Sequence, residues 1–180
     1  MKKTIIALAG EMGCGKGAIA EYLIARHAAK KLRFSDVFRN ILDRIHLEQS
    51  RENMAALSLA LRNTFGSDIL SDILAKDVEN LDSPIIILDG VRRMSDLDRL
   101  RTMDGFRFVY IEADPMTRYH RVVARGENTP DSTMTYEGFL KESSLETETS
   151  IRALKDIADV VLENNGTLEE LEAQCEKMLK

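Results

Sequence analysis

Two periodicities divide the chain. Five short apolar runs lack a helical repeat and read as strands: Thr4–Ala9, residues 32–34, Ile85–Asp89, Phe106–Glu112 and Val160–Glu163. The first, third and fourth are dense in Ile, Val, Leu and Phe, as strands covered on both faces require. Between them apolar residues recur every three or four positions, which predicts helices. Residues 35–45 open on Ser35, a good cap, and repeat Val37, Phe38, Ile41, Leu42 and Ile45. Residues 51–64 carry Met54, Leu57 and Leu61, followed by Phe65 and by Gly66 as a stop. Residues 68–78 follow with Ile69, Leu70, Ile73 and Leu74. A short helix is predicted over 95–101 with Ser95 as cap, and Pro115–Arg125 opens on a proline suited to a first turn. Residues 139–158 read as helical in parts. Residues 167–179 form an amphipathic closing helix with Leu168, Leu171, Cys175, Met178 and Leu179 inward.

Strands alternating with helices predict an α/β fold with a parallel sheet. Two regions break the alternation. Residues 35–80 hold several helices and no strand, and residues 118–150 hold a basic helix followed by a polar stretch. Substrate loops and lids occupy insertions of this kind. With 180 residues and 44% hydrophobic content, one domain with a proper core is expected. No apolar run reaches the length of a membrane span. Met1-Lys2-Lys3 before Ile5-Ile6 has the outline of a signal peptide, but Glu11 interrupts a run already too short, so a buried strand is expected there. Two cysteines, Cys14 and Cys175, make no disulfide framework, and the cytoplasm is the expected compartment. A net charge of −5 argues against a nucleic-acid-coating role. A local cluster drawn from Arg39, Arg92, Arg93, Arg118, Arg121 and Arg125 would instead suit a small anionic substrate.

The run Gly10-Glu11-Met12-Gly13-Cys14-Gly15-Lys16-Gly17, with Ala18 next, lies between the first strand and a helical stretch. Strand, glycine loop, lysine, helix is the layout of a phosphate-binding loop. Glycines let the backbone turn its N–H groups inward. Those groups and the helix N-terminus offer partial positive charge to a polyphosphate. Lys16 adds a full charge for the outer phosphates. Gly17 stands where the general pattern places a magnesium-binding hydroxyl. The competing reading is a glycine-rich turn with a solvated lysine.

Asp89 ends a run of four branched apolar residues. A carboxylate at the carboxyl end of a parallel strand points into the ligand crevice and can hold magnesium, directly or through water. The alternative is a carboxylate capping the next helix. Arg92 and Arg93 follow within one turn, as phosphate ligands or as partners of Asp96.

These residues resemble those of nucleoside and nucleotide kinases of the adenylate kinase and dephospho-coenzyme A kinase group, and most of all the small archaeal-type adenylate-kinase-related proteins. The resemblance covers nearly the whole chain. Gly-Lys-Gly is the adenylate kinase form of the loop; Thr normally follows, where this chain has Ala18, which leaves the magnesium sphere to Asp89 and water. Leu88-Asp89-Gly90-Val91-Arg92-Arg93 matches the family's Leu-Asp-Gly-Phe-Pro-Arg, whose arginine binds the acceptor phosphate. Position favours Arg93 in adenylate kinases and Arg92 in the related group. Phe34-Ser35-Asp36-Val37-Phe38-Arg39 is similar to the Thr-Gly-Asp-x-x-Arg stretch, with Arg39 as the acceptor arginine, Ser35 beside it, and Asp36 as a cap or a base. Arg121 and Arg125 match the Arg-x-x-x-Arg pair that opens the lid, one arginine near the adenine and one on the transferring phosphates. The lid is short and lacks the cysteines of a zinc site. The turn from Asn164 to Gly166, Asn165 included, lies by the donor's base in the family; a plain strand-to-helix turn is the alternative.

The resemblance implies a three-layer fold with a five-stranded parallel sheet of order 2-3-1-4-5. It implies a core of 1–34, 81–117 and 151–180, an acceptor-binding insertion at 35–80 and a lid region at 118–150. It implies ATP as donor, magnesium as cofactor, and a small nucleotide as acceptor. A nucleoside monophosphate is favoured, with dephospho-coenzyme A as the alternative and an ATPase or nucleotide switch as the rival from another class. No membrane partner is expected, nucleic acid is disfavoured, and the protein would be a monomer or homodimer.

Overall fold

The computed structural model describes residues 3–126 and 134–180, and for 146–148 the backbone alone. Residues 127–133, the tip of the expected lid, lie outside the described residues.

Strands β1 (Thr4–Ala9), β2 (Lys30–Arg33), β3 (Ile85–Asp89), β4 (Phe106–Glu112) and β5 (Val160–Glu163) form one parallel sheet in the order β2-β3-β1-β4-β5. Because all run the same way, Gly10, Arg33, Asp89, Glu112 and Asn164 emerge on a single edge. Alternate residues of each strand face opposite layers. Ile5, Ala7, Ala9, Ile86, Leu88, Phe108 and Tyr110 face one core. It is covered by α2 (Phe34–Arg44), α4 (Ile69–Asn80) and α7 (Glu146–Ala153), through Phe38, Leu74 and Ile151 among others. Ile6, Leu8, Ile87, Val109 and Ile111 face the other, under α1 (Lys16–His27) and α8 (Leu168–Leu179). Both faces are dry, which is why these strands read as unbroken apolar runs. The expected fold class and strand order are those of the molecule.

Several boundaries differ from expectation for local reasons. β2 covers Lys30–Arg33 rather than 32–34; an edge strand tolerates the charged residues that hid its start. α2 therefore begins at Phe34 with Arg33 at its N-cap, and Ser35 sits inside the first turn instead of capping it. Helix α3 (Arg51–Phe65) is capped by Ser50, whose hydroxyl accepts from the Asn53 N–H. Phe65 at its end is exposed, as is Leu168 at the start of α8, because the first and last residues of each helix splay past the core. The helix expected over 95–101 is two 3-10 turns, Met94–Asp96 and Leu100–Thr102. Side chains take over the backbone donors there. Asp96 accepts from the N–H groups of Arg92 and Arg93, and the Ser71 hydroxyl accepts from those of Arg99 and Leu100. α5 (Pro115–Arg125) lies where predicted. Residues 139–158 break into α6 (Tyr136–Ser143), α7 and a 3-10 turn at Leu154–Ile157. A capping box between Thr167 and Glu170 starts α8.

Candidate functional site

Residues 10–15 carry the chain from the end of β1 to the first residue of α1, which is Lys16. The Lys16 ammonium donates back to the carbonyl of Gly10, to that of Glu11 at 3.1 Å, and to the Cys14 Sγ at 3.4 Å. The lysine is thus turned into the loop, against neutral acceptors that a phosphate would outbid. Two glycines are demanded by what packs on the loop. A Cβ on Gly13 (φ 78°) would lie 2.6 Å from the Arg118 carbonyl of α5. A Cβ on Gly15 (φ 109°) would lie 2.1 Å from Asn164 Nδ2. Nothing lies within 4 Å of a Cβ placed on Gly17, so that residue is free of such a demand.

The elements that press on the loop bring polar groups with them. Asn164, buried just past β5, donates its amide to the Cys14 carbonyl at 2.8 Å. It accepts from Arg121 at its backbone carbonyl (2.9 Å) and at its Oδ1 (3.2 Å). Its neighbour Asn165, the residue expected at the donor's base, accepts instead from the Asp114 N–H at 2.7 Å, so its side-chain oxygen is turned to the β4–α5 loop. Arg118, 3% exposed, donates to the carbonyls of Ala113 and Met12 and stacks on the Phe139 ring. Glu11, 13% exposed at its side chain, accepts at Oε1 from Arg118 (3.3 Å) and from Arg152 of α7 (2.8 Å). Arg121 is half-buried on α5, and Arg125 is exposed at the last residue of that helix.

Asp89 follows Ile85 and Ile87 on the sheet face that α1 covers. Its Oδ2 lies 3.4 Å from the Lys31 ammonium and 4.0 Å from Arg33 Nε, both on β2. It caps nothing: Arg93 holds the N-cap of the turn that follows. Among the described residues no group of three or more His, Cys, Asp or Glu could hold a metal unaided. A single partly exposed carboxylate beside a phosphate loop fits magnesium that brings its other ligands from water and substrate phosphates.

On α2, Arg39 Nη1 lies 3.3 Å from Asp36 Oδ1 and 3.4 Å from the Ser35 hydroxyl. Asp36, expected as a cap or a base, makes no cap bond; its carboxylate pairs with Arg39. Arg92 and Arg93 are exposed just beyond β3. Asp96 takes their backbone N–H groups, both at 3.0 Å, while its ion pair at 2.5 Å is with Arg62 of α3, and both partners are buried. The pairing with Arg92 or Arg93 side chains that the sequence suggested is replaced by this one.

Three polar residues of this region escaped the sequence. Asn164 was legible only as part of an Asn-Asn-Gly turn, and Arg62 only as a charge on an amphipathic helix. Arg152 lies 141 positions from Glu11 and carried no local signal. Glu11 did carry one, since a carboxylate in an anion-binding loop demands cations nearby. Arg118 was anticipated as a pocket arginine and is buried behind the loop.

An AAA domain family model matches residues 6–149. The chain is 28% identical to a UPF0200 protein of Sulfurisphaera tokodaii, over 98% of this chain and 96% of that relative. It is 29% identical to a UPF0200 protein of Hyperthermus butylicus, over 98% and 94%. Among solved structures it is similar to TT1252 from Thermus thermophilus, with a TM-score of 0.65 and 18% identity over 99% of this chain and 97% of that one. A sugar kinase from Janibacter sp. HTCC2649 gives a TM-score of 0.58 and 14% identity over 98% and 94%. At such identities the structural likeness speaks for the fold alone.

Proposed function

The chain belongs to the AAA domain family, and from that premise we propose that it is a magnesium-dependent phosphotransferase. It moves the γ-phosphoryl group of ATP to a small nucleotide, a nucleoside monophosphate such as AMP or a deoxynucleoside monophosphate. The observation that carries this reading is Lys16, turned into a glycine loop whose wall is built by α5 and the β5 turn. Phosphoryl transfer is mostly positioning and neutralisation of charge, and a pre-formed cationic cradle supplies both.

In this reading Lys16 and the loop N–H groups from Gly10 to Ala18 hold the β and γ phosphates. Asp89 would hold magnesium through water; when bound with ATP, the metal neutralises the oxygens of those phosphates. Arg121 and Arg125 offset the charge that develops on the transferred group. Asn165 and its neighbours flank the donor's base. Ser35, Asp36, Arg39, Arg92 and Arg93 receive the acceptor at the same strand-end edge. The Asp36–Arg39 ion pair favours a monophosphate over a hydroxyl acceptor such as that of dephospho-coenzyme A. A carboxylate held by a guanidinium is a poor general base, and an ionised phosphate needs none.

In the same reading residues 35–80 serve the acceptor and 118–150 the lid. The protein works in the cytoplasm, as a monomer or homodimer; its two cysteines are free and buried, which suits a reducing compartment. No helix among the described residues is long and apolar enough to cross a membrane.

The test is a thermal-shift and coupled-assay panel. A non-hydrolysable ATP analogue with magnesium should raise the melting temperature, and AMP, CMP, dTMP or dephospho-coenzyme A should raise it further when it is the acceptor. ATP consumption should require that acceptor. No stabilisation by the analogue would refute nucleotide binding, and steady hydrolysis without any acceptor would make the protein an ATPase.

A further inference from the structure

Asp89, the carboxylate read above as the magnesium anchor, already faces cations of its own chain. Both come from β2, the neighbouring strand at the sheet edge. Arg33 is the register partner of Asp89, and Lys31 stands two residues earlier, opposite Ile87. The nearer cation is nonetheless Lys31, whose ammonium reaches along the strand to lie 3.4 Å from Asp89 Oδ2. The Lys31 and Asp89 side chains are 21% and 25% exposed, so water screens the pair only in part. Arg33 Nε lies 4.0 Å from the same oxygen on a side chain 47% exposed. Among the described residues the Lys31 ammonium has no other polar partner, and Asp89 Oδ1 has none.

Lys31 acts on the carboxylate in two ways. It holds one oxygen and leaves the other open, which fixes the direction in which Asp89 can serve a ligand. It also cancels the carboxylate's charge. A neutral pair draws a bare divalent cation weakly, because the ammonium opposes what the carboxylate attracts. Magnesium already bound to a triphosphate is a complex of net negative charge, and the same ammonium attracts it. Without Lys31 both effects reverse: a lone carboxylate attracts the bare ion and repels the complex. Resting on the nucleotide reading above, we propose that Lys31 is a positioning and specificity-determining residue. Through Asp89 it makes the site refuse the free metal ion and admit magnesium only as its complex with the nucleotide.

The test uses the full chain and no acceptor. Titration of manganese alone, followed by electron paramagnetic resonance, gives the affinity for a bare divalent ion. Calorimetry gives the affinity for a non-hydrolysable ATP analogue in excess magnesium. Lys31→Met should bind bare manganese about fivefold or more tightly, and the magnesium–analogue complex about threefold or more weakly. Lys31→Arg keeps the charge and should stay within about twofold of wild type in both. Adding Asp89→Asn to Lys31→Met should abolish the gain for manganese. Arg33→Gln, at the farther and more exposed cation, should move either affinity less than about twofold. If Lys31 only braces the edge strand, Lys31→Met will lower the melting temperature and leave the ratio of the two affinities at its wild-type value, which overturns the proposal. A shift of both affinities in one direction also overturns it. So does an Arg33→Gln effect as large as that of Lys31→Met, because general surface charge would then suffice. Wild-type protein that binds no analogue overturns the nucleotide reading and this proposal together, whereas an unchanged ratio overturns the proposal alone.

Discussion

The side-chain amide of Asn164 donates to the carbonyl of Cys14 at 2.8 Å, across 150 positions of sequence. The same residue accepts twice from Arg121 and donates its backbone N–H to the Glu112 carbonyl. One residue, through its side chain and its backbone, thus joins the phosphate loop, α5 and the ends of β4 and β5. Asn164→Ala should cost about 1–3 kcal/mol, because the buried Cys14 carbonyl loses its donor and Arg121 loses one of its two acceptors on this residue. Urea unfolding checks the stability. Weaker ATP binding in the same variant checks the link between this tie and the site.

The two glycines that flank Lys16 should respond oppositely. Gly15→Ala puts a Cβ 2.1 Å from Asn164 Nδ2 at a φ of +109° and should destabilise the protein by about 2 kcal/mol or more. Part of that cost should vanish in an Asn164→Ala background, a non-additivity read from a double-mutant cycle. Gly17→Ser meets open space within a helix and should stabilise by up to roughly 0.5 kcal/mol. It also restores a hydroxyl at the position that normally serves magnesium, so tighter Mg·ATP binding is expected.

Arg62 and Asp96 form a buried ion pair between α3 and the turn after β3. Asp96→Asn or Arg62→Met alone should cost about 3–5 kcal/mol, since each strands one charge away from water. The Asp96 variant also weakens the acceptor for the Arg92 and Arg93 N–H groups, so Arg92 and Arg93 should lose their fixed placement. A raised acceptor KM beyond what the Arg62 variant shows would report that.

Acid and alkaline limbs of stability should both pass through one cluster, Tyr22, His27 and Glu176, which ties α1 to α8. Hydrogen bonds from Tyr22 and then His27 hold the Glu176 carboxyl below its ordinary pKa. Its contribution is present above the usual glutamate value of about 4.3 and is lost as pH falls through the lower folded value. The Tyr22 hydroxyl, bonded to Glu176 and partly desolvated, is pushed up to about 12. Its contribution is present below the usual tyrosine value of about 10 and is lost as pH rises toward the folded one. Glu176→Gln should flatten the acid limb, and Tyr22→Phe the alkaline one, in melting temperatures recorded against pH. Unchanged limbs in both variants would refute the assignment.

Lys16→Ala should lower turnover at least about a hundredfold, as it removes the preorganised ammonium of the cradle. Arg39→Ala should mainly raise the acceptor's KM. Asp36→Asn should barely change kcat with a monophosphate acceptor, and should cost about a hundredfold or more if the acceptor is a hydroxyl. Initial rates over both acceptor classes separate the cases.

The amino-acid order alone determined the alternation of elements, the five parallel strands and the phosphate loop, because those depend on period and on near neighbours. Thr4–Ala9 and Ile85–Asp89 are apolar on both faces, and only a sheet covered twice explains that. The identities Gly13, Gly15 and Lys16 likewise announce an anion-binding turn before any coordinate is known. Tertiary structure decided which polar groups meet. Asn164 rather than Asn165 holds the loop, Arg62 rather than Arg92 or Arg93 pairs with Asp96, and Arg152 closes on Glu11. Each contact spans tens to more than a hundred positions and turns on side-chain direction. A one-residue change of direction at a strand end exchanges partners without altering the hydrophobic pattern. Period records which face is buried, whereas pairing of charges is settled only when strand ends from distant parts of the chain are brought to one edge.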